Sequence, residues 1–428
     1  MLNATLIFVT FIGLIVLGMP ISMSIGIGTV VAAILGDFSI SSIPLMITSG
    51  SSNFSLVAIP YFIFLGNVMN MGGITDRMFE WAEACIGHIR GGLAQVNVLA
   101  SVIFAGVSGT SSADAAGLGL VEIRAMEKKG YDLPFSVAIT MVSSILGPII
   151  PPSVSLLVFA SLTGTSVAKL FAAGVIPGVV VAIGMMLINA RLCKEGKVIV
   201  PEPEPFSPKR FWTATKHGIL ALLCPVILLI TMLSGAITPT EAGIIGSLYS
   251  LLVAAVYGEL SAKKLWQACV ETVNSCALIM FLIGMGNALA WFLTAEQIPQ
   301  AVSTFLFGLT SNKYVILIII NIILLILGMF MDATAIQLIM VPILLPVIKT
   351  IGMSMIQFGL MVTVNILIGT MTPPYGLGLF IMSSVSKLSI PQILKATKPF
   401  FPIVIAFLLL ITYVPWFSEF LPNLLFGA

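Results

Sequence analysis

The sequence predicts an all-α polytopic membrane protein made of two inverted-topology repeats, each holding a re-entrant helical hairpin and a broken transmembrane helix. Three observations predict it: the composition, a gap-free internal correspondence at one fixed offset, and the distribution of Lys and Arg. Of 428 residues, 58% are hydrophobic and 8% charged, with a mean hydropathy of +1.13. A soluble chain carries about 25% charged residues. The net charge of +2 gives no reason to expect a nucleic-acid partner, and the lipid bilayer is the expected surrounding. The five cysteines share no metal-ligand spacing and read as small buried hydrophobes. No basic segment precedes the first apolar run, which therefore reads as a membrane helix rather than a removed signal peptide.

Taken in order, Leu6–Gly18 and Ile21–Leu35 are apolar runs hinged at Met19-Pro20, followed by a polar loop over Gly36–Asn53 and a span over Leu56–Met71. Thr75–Arg90 sets Trp81, Ala84, Cys85 and Ile89 on one face and Arg77, Glu80 and Glu83 elsewhere, the pattern of an interfacial helix. Two apolar segments, Leu93–Ala105 and Leu118–Met126, then flank Gly106-Val-Ser-Gly-Thr-Ser-Ser-Ala-Asp-Ala-Ala-Gly117. Each is shorter than the roughly 20 residues that cross a bilayer. A hairpin that enters, stops at the hydroxyl cluster and returns satisfies that length, provided protein or water surrounds its tip.

Phe135–Ile145 and Leu156–Leu162 read as one span broken at Gly147-Pro-Ile-Ile-Pro-Pro-Ser153, where the prolines remove backbone donors. Phe171–Ala190 spans, and Arg191–Lys216 is a hydrophilic segment stiffened by Pro201–Pro205. Leu220–Leu233, Glu241–Tyr257 and Cys269–Phe292 span again, followed by an interfacial stretch, Thr294–Phe307. Tyr314–Leu327 and Ala335–Ile348 flank a second tip, Gly328–Thr334. A span from Phe358 is broken at Gly369-Thr-Met-Thr-Pro-Pro-Tyr-Gly376, and Phe401–Tyr413 closes the chain.

An offset of 222 residues aligns Gly106 with Gly328, Ala113 with Ala335, Gly130 with Gly352 and Gly147 with Gly369. It also aligns Pro151-Pro152 with Pro373-Pro374, Ser161 with Ser383 and Pro177 with Pro399. Seven landmarks in one register indicate an internal repeat. The division expected is residues 1–190 for the first repeat, 191–217 for a cytoplasmic linker and 218–428 for the second. Within each, scaffold helices (1–92 and 218–312) precede a hairpin and broken-helix core (93–190 and 313–428).

With the N-terminus outside and each hairpin returning to its own side, 16 of the 19 Lys and Arg fall inside. Only Lys169, Lys313 and Lys349 fall outside. The positive-inside rule thus predicts periplasmic N- and C-termini, with the hairpins entering from opposite faces. Inverted repeats with broken helices are the pattern of a secondary transporter whose site lies at the bilayer midplane.

The tips and breaks present Ser108, Thr110, Ser111, Ser112, Ser153, Thr334, Thr370 and Thr372 beside unwound carbonyls, with two acids, Asp114 and Asp332. Hydroxyl and carbonyl oxygens can replace the shell of a hard cation such as sodium without burying much charge. Helix N-termini at the breaks can receive a carboxylate. Two related cation sites are the natural reading. Tight helix packing would use the same small residues, and Asp114 and Glu241 also read as helix caps.

These motifs, Gly106–Asp114, Gly147–Ser153, Met331-Asp-Ala-Thr334 and Gly369–Pro374, resemble the large membrane subunit of tripartite ATP-independent periplasmic (TRAP) transporters, the DctM-like family, over essentially the whole chain. The resemblance implies a sodium-driven elevator transporter of the bacterial inner membrane for acidic solutes such as sialic acid or C4-dicarboxylates. It implies two partners, a periplasmic substrate-binding protein and a small four-helix membrane subunit, and no organic cofactor. Carried over, Ser108, Gly109, Ser111 and Ser112 with Gly147, Ile150 and Pro152 would line one sodium site. Met331, Asp332 and Thr334 with Gly369, Met371 and Pro373 would line the other, and Asp114, Ser153, Thr110 and Thr334 would stand near the substrate. A stand-alone symporter for divalent anions is the nearest alternative. An intramembrane aspartyl protease is a distant one, since neither acid sits in a Gly-x-Gly-Asp context.

Overall fold

The computed structural model describes residues 2–36, 38–108, 118–203 and 205–427. Gly109–Gly117, most of the stretch expected to form the first hairpin tip, therefore lies outside the described residues. The described residues form helices joined by turns: α1 (Leu2–Val16), α2 (Ile21–Leu35), α3 (Ser42–Ser51), α4 (Ala58–Met71), α5 (Ile74–Ile86), α6 (Gly92–Ser108), α7 (Leu118–Lys128), α8 (Leu133–Ser143), α9 (Val154–Thr163) and α10 (Val167–Lys194). The second half supplies α11 (Pro208–Leu233), α12 (Pro239–Val256), α13 (Ala262–Ala295), α14 (Ile298–Leu309), α15 (Lys313–Phe330), α16 (Ala333–Thr350), α17 (Met355–Thr370), α18 (Leu377–Ser386), α19 (Ile390–Thr397), α20 (Phe401–Tyr413) and α21 (Trp416–Phe426). Among the described residues, eight helices are long and apolar enough to cross a membrane.

Several expectations change. The polar stretch 36–53 is not all loop. Ser42–Ser51 is helical, and the Thr48, Ser51 and Ser52 hydroxyls donate to carbonyls four residues back, which absorbs their polarity within the helix. The arms of the second hairpin are 18 residues each, enough for roughly 27 Å of rise. They exceed the short apolar runs because Asn312 caps α15 ahead of Lys313 and α16 continues through Pro342 and Pro346. Length alone therefore does not make this hairpin re-entrant. In α5 the buried residues are Ile74, Thr75, Met78, Phe79, Ala82 and Ala84, so Ala84 of the expected face is buried and Trp81 packs against the core, while Ile89 is exposed and lies beyond the helix. Helix reaches into the hydrophilic segment from both sides, since α10 runs to Lys194 and Ser207 caps α11 at Pro208. The Trp291 ring lies 6.0 Å from that of Phe38. Glu241 is a cap as expected, closing a reciprocal capping box with Thr238.

The 222-residue offset carries α8 onto the start of α17 and α9 onto α18 within a residue. Both Pro-Pro bonds, Pro151-Pro152 and Pro373-Pro374, are cis. One difference stands out. The 34-residue α13 is continuous, whereas the stretch at the same offset in the first half is α3, a turn at Ser52-Asn53 and α4.

Buried amides stitch the helices into groups. In the first half, Asn97 of α6 donates to Thr140 of α8 (2.7 Å) and accepts from Ser143 (2.8 Å). Gln95 of α6 donates to the Met186 carbonyl and Asn189 of α10 to the Ala94 carbonyl. In the second half, Asn365 of α17 donates to the Asn321 side chain on α15 (2.6 Å), and Asn321 donates to Thr412 on α20 (3.1 Å). A separate set ties α4 to α13 through Asn67 and Thr272, α12 to α4 through Ser247 and the Tyr61 carbonyl, and α13 to α3 through Asn287 and the Met46 carbonyl. Pairing offsets the cost of removing these donors from water, while the Gln95, Asn189 and Asn365 side-chain oxygens are buried without a hydrogen-bond partner.

Candidate functional site

The first break is enclosed. Residues 144–155 are buried, and Ser153 begins α9 as its N-cap, donating to the Pro148 carbonyl (2.5 Å) and accepting from the Leu156 N–H (3.2 Å). Ser153 is thus engaged at both its proton and its acceptor side. Gly147, Ile150 and Pro152 lie in the same buried turn, where the Ile150 N–H donates to the Leu146 carbonyl. Two glycines of α10 let that turn approach: a Cβ on Gly174 would overlap the Ile149 carbonyl oxygen, and one on Gly178 the Ile150 side chain. Of the tip expected to face this break, Gly109, Thr110, Ser111, Ser112 and Asp114 lie outside the described residues, and Ser108 ends α6.

The second tip and break meet directly. The Gly376 N–H donates to the Met329 carbonyl at 2.7 Å, so the α17–α18 break is tied to the hairpin turn. This tether, rather than arm length, holds the tip at the level of the break. Asp332 caps α16, its Oδ1 accepting from the Thr334 N–H at 2.9 Å. Met331, Gly369 and Met371 are buried, Asp332 and Thr334 half-buried, and Pro373 exposed. The Thr370 and Thr372 hydroxyls donate to the Leu367 and Ile368 carbonyls, both at 2.7 Å. With their protons so directed, the oxygens keep lone pairs free to accept.

A cavity of about 40 Å³ joins the two halves. Met141, Ser144, Pro148 and Ser155 line it from the first half; Asp332, Thr334, Thr370, Met371, Leu377 and Gly378 line it from the second. Its volume suits one or a few waters, not a sugar acid. Three helix N-termini open onto it: α9 through Ser155, α16 through Asp332 to Thr334, and α18 through Leu377 and Gly378. Each carries about half a positive charge at its first turn, and Asp332 is the carboxylate among them. Such a lining can hold a small cation at hydroxyl and carbonyl oxygens while offering backbone donors to an anion. Among the described residues no three His, Cys, Asp or Glu side chains converge as a metal cluster.

Thr334 lines this cavity; Ser153 does not. Ser144 and Ser155 were not singled out in the sequence. Ser155 sits two residues past the cap in the first turn of α9, and a helical projection from Ser153 would have turned it to the opposite side.

Residues 8–417 match the family described as tripartite ATP-independent periplasmic transporter, DctM component. The chain is 35% identical over 420 residues to the sialic acid TRAP transporter large permease protein SiaM of Vibrio cholerae, covering 97% of this chain and 98% of that one. It is 36% identical over 397 residues to the C4-dicarboxylate TRAP transporter large permease protein DctM of Pseudomonas aeruginosa, covering 92% of each. The crystal structure of the Alcanivorax borkumensis YdaH transporter superposes with a TM-score of 0.63 at 14% identity, covering 86% of this chain and 87% of that one, a likeness of fold.

Proposed function

This chain belongs to the DctM component family of tripartite ATP-independent periplasmic transporters, and from that premise we propose that it drives uptake of an acidic solute with sodium. It is a multi-pass membrane permease and not an enzyme. The observation that carries the sodium and anion reading is the cavity where three helix N-termini surround Asp332. Sodium is a co-transported ion here. Met331, Asp332 and Thr334 with Gly369, Met371 and Pro373 hold one ion. Ser108, Gly109, Ser111 and Ser112 with Gly147, Ile150 and Pro152 hold a second. The solute is a carboxylate of the sialic acid or C4-dicarboxylate class, received near Thr334, with Asp114 and Thr110 on the first tip.

The solute arrives from a periplasmic binding protein, and a four-helix membrane subunit completes the assembly in the bacterial inner membrane. Both termini face the periplasm. Charge pairing supports that topology: Lys129 and Arg210, both expected inside, meet at Glu83, whereas Lys169, expected outside, donates to the Gly427 carbonyl beside the C-terminus. The core of hairpins and broken helices moves past the scaffold as an elevator. The separate amide networks support this, since α6, α8 and α10, and likewise α15, α17 and α20, are bound into groups distinct from α3, α4, α12 and α13.

The test is uptake into liposomes holding the chain and its four-helix subunit, under an inward sodium gradient, with and without the binding protein. Sodium-dependent uptake only with the binding protein is expected. Uptake without it would favour the stand-alone symporter, and uptake indifferent to sodium would remove the ion sites.

A further inference from the structure

Resting on the transport reading above, we propose that Glu83 is a shared latch between scaffold and core, contested by Lys129 and Arg210. Glu83 lies on α5, at the scaffold edge, with its side chain 17% exposed. Arg210 Nη2, on α11 of the same scaffold, stands 2.9 Å from Glu83 Oε1. Lys129 Nζ, from the turn between α7 and α8 of the core, stands 3.7 Å from the same oxygen. One carboxylate oxygen therefore serves both bodies, the nearer contact lying within the scaffold and the longer one crossing the boundary.

The segment joining the two halves is fixed at the same place. The Asp132 N–H, three residues after Lys129, donates to the Ile199 carbonyl at 3.2 Å. Further along, the Phe206 ring packs 5.0 Å from that of His88 and 6.2 Å from that of Phe211. Beneath this strap a cavity of about 110 Å³ remains between Glu83, His88, Lys129, Tyr131 and Arg210. Among the described residues the seat is lined by charged and polar groups, unlike the apolar cores on either side. Residues 195–207 can extend to about 45 Å, so the strap permits displacement of the core once its contacts are released. Glu83 is thus a positioning residue that sets how readily the core leaves this arrangement, not one that touches ion or solute.

Sharing gives the two cations opposite signs. Lys129→Gln removes the crossing contact and favours departure of the core. Arg210→Gln removes the competitor, gives Lys129 sole use of Glu83 and retards departure. With both cations partly solvated, pairs of this kind contribute modestly, so the expected change is about two- to fivefold in the population ratio. The measurement is the distance distribution between nitroxide labels at Lys263→Cys, on the scaffold, and Lys395→Cys, on the core, in a background with its native cysteines replaced. Lys129→Gln should enrich the second distance and Arg210→Gln should deplete it, with Glu83→Gln following Lys129→Gln. Shifts of the same sign for the two cation variants, or a single unchanged distance in all three, would overturn the latch. Sodium-driven uptake by the unsubstituted chain is measured in parallel. Its absence would count against the transport reading whatever the distances do.

Discussion

Gly328 and Gly369 lie backbone to backbone: a Cβ on Gly369 would stand 2.6 Å from the Gly328 Cα, and one on Gly328 would stand 2.8 Å from the Ile366 carbonyl oxygen. The end of α15 and the end of α17 can meet only if both positions lack a side chain. Gly369→Ala should therefore part the second tip from its break at a cost of about 1–3 kcal/mol and reduce sodium-dependent uptake at least tenfold. Gly308→Ala, which meets nothing within 4 Å, is the control and should leave uptake unchanged. Thermal unfolding in detergent alongside uptake separates loss of function from loss of fold. Equal behaviour of the two variants would remove any special role for the contact.

The buried amide chain Asn365–Asn321–Thr412 makes a second expectation. Asn365→Leu leaves the Asn321 carbonyl and side-chain oxygens without their donor in a water-poor interior. Interhelical hydrogen bonds in membranes average about 0.6 kcal/mol and reach about 1.7, so a loss of roughly 1–2 kcal/mol is expected. Thr304→Ala removes an exposed hydroxyl that donates within its own helix and should be neutral. A melting midpoint for Asn365→Leu equal to the parent's would mean the network holds nothing together.

Much of this architecture was legible in the sequence because membrane burial forces it. Long apolar runs and proline pairs placed the broken helices, and the breaks at Gly147–Ser153 and Gly369–Gly376 stand where the prolines put them. What the sequence hid was local. The helix over Ser42–Ser51 looked like loop because its hydroxyls turn back onto its own backbone. Ser153 caps α9, while Ser155, which nothing in the sequence singled out, lines the cavity. Composition names the donors in such a stretch; only the direction of each side chain says which are already engaged.

At the end of α10, Glu195 accepts from Lys197 and Arg191, both at 2.6 Å, and the two cations hold its carboxyl at about 2. The folded value is depressed below the unfolded one of about 4.3, so its contribution is fully present above the unfolded value and is lost as pH falls through about 2. Protection of the 194–199 backbone against hydrogen exchange should therefore hold from pH 7.5 down to 4. Glu195→Gln should lower it throughout that range. Protection that fades near pH 4–5 in the parent chain would show that the pair does not form.

Asp332 carries two roles that substitution can pull apart. Its Oδ1 accepts the Thr334 N–H and so caps α16, and its charge faces the cavity among three helix N-termini. Asp332→Ala removes both, with about 1 kcal/mol lost from the missing cap and uptake abolished. Asp332→Asn keeps an oxygen for the Thr334 N–H, so stability should match the parent, yet without the charge the sodium proposed at Asp332 should be held weakly. Uptake by the Asn variant should need at least tenfold more sodium for half-saturation, with the solute concentration dependence measured at saturating sodium little changed. An Asn variant with the parent's sodium dependence would reduce Asp332 to a helix cap and move the ion to the hydroxyls of Thr334, Thr370 and Thr372.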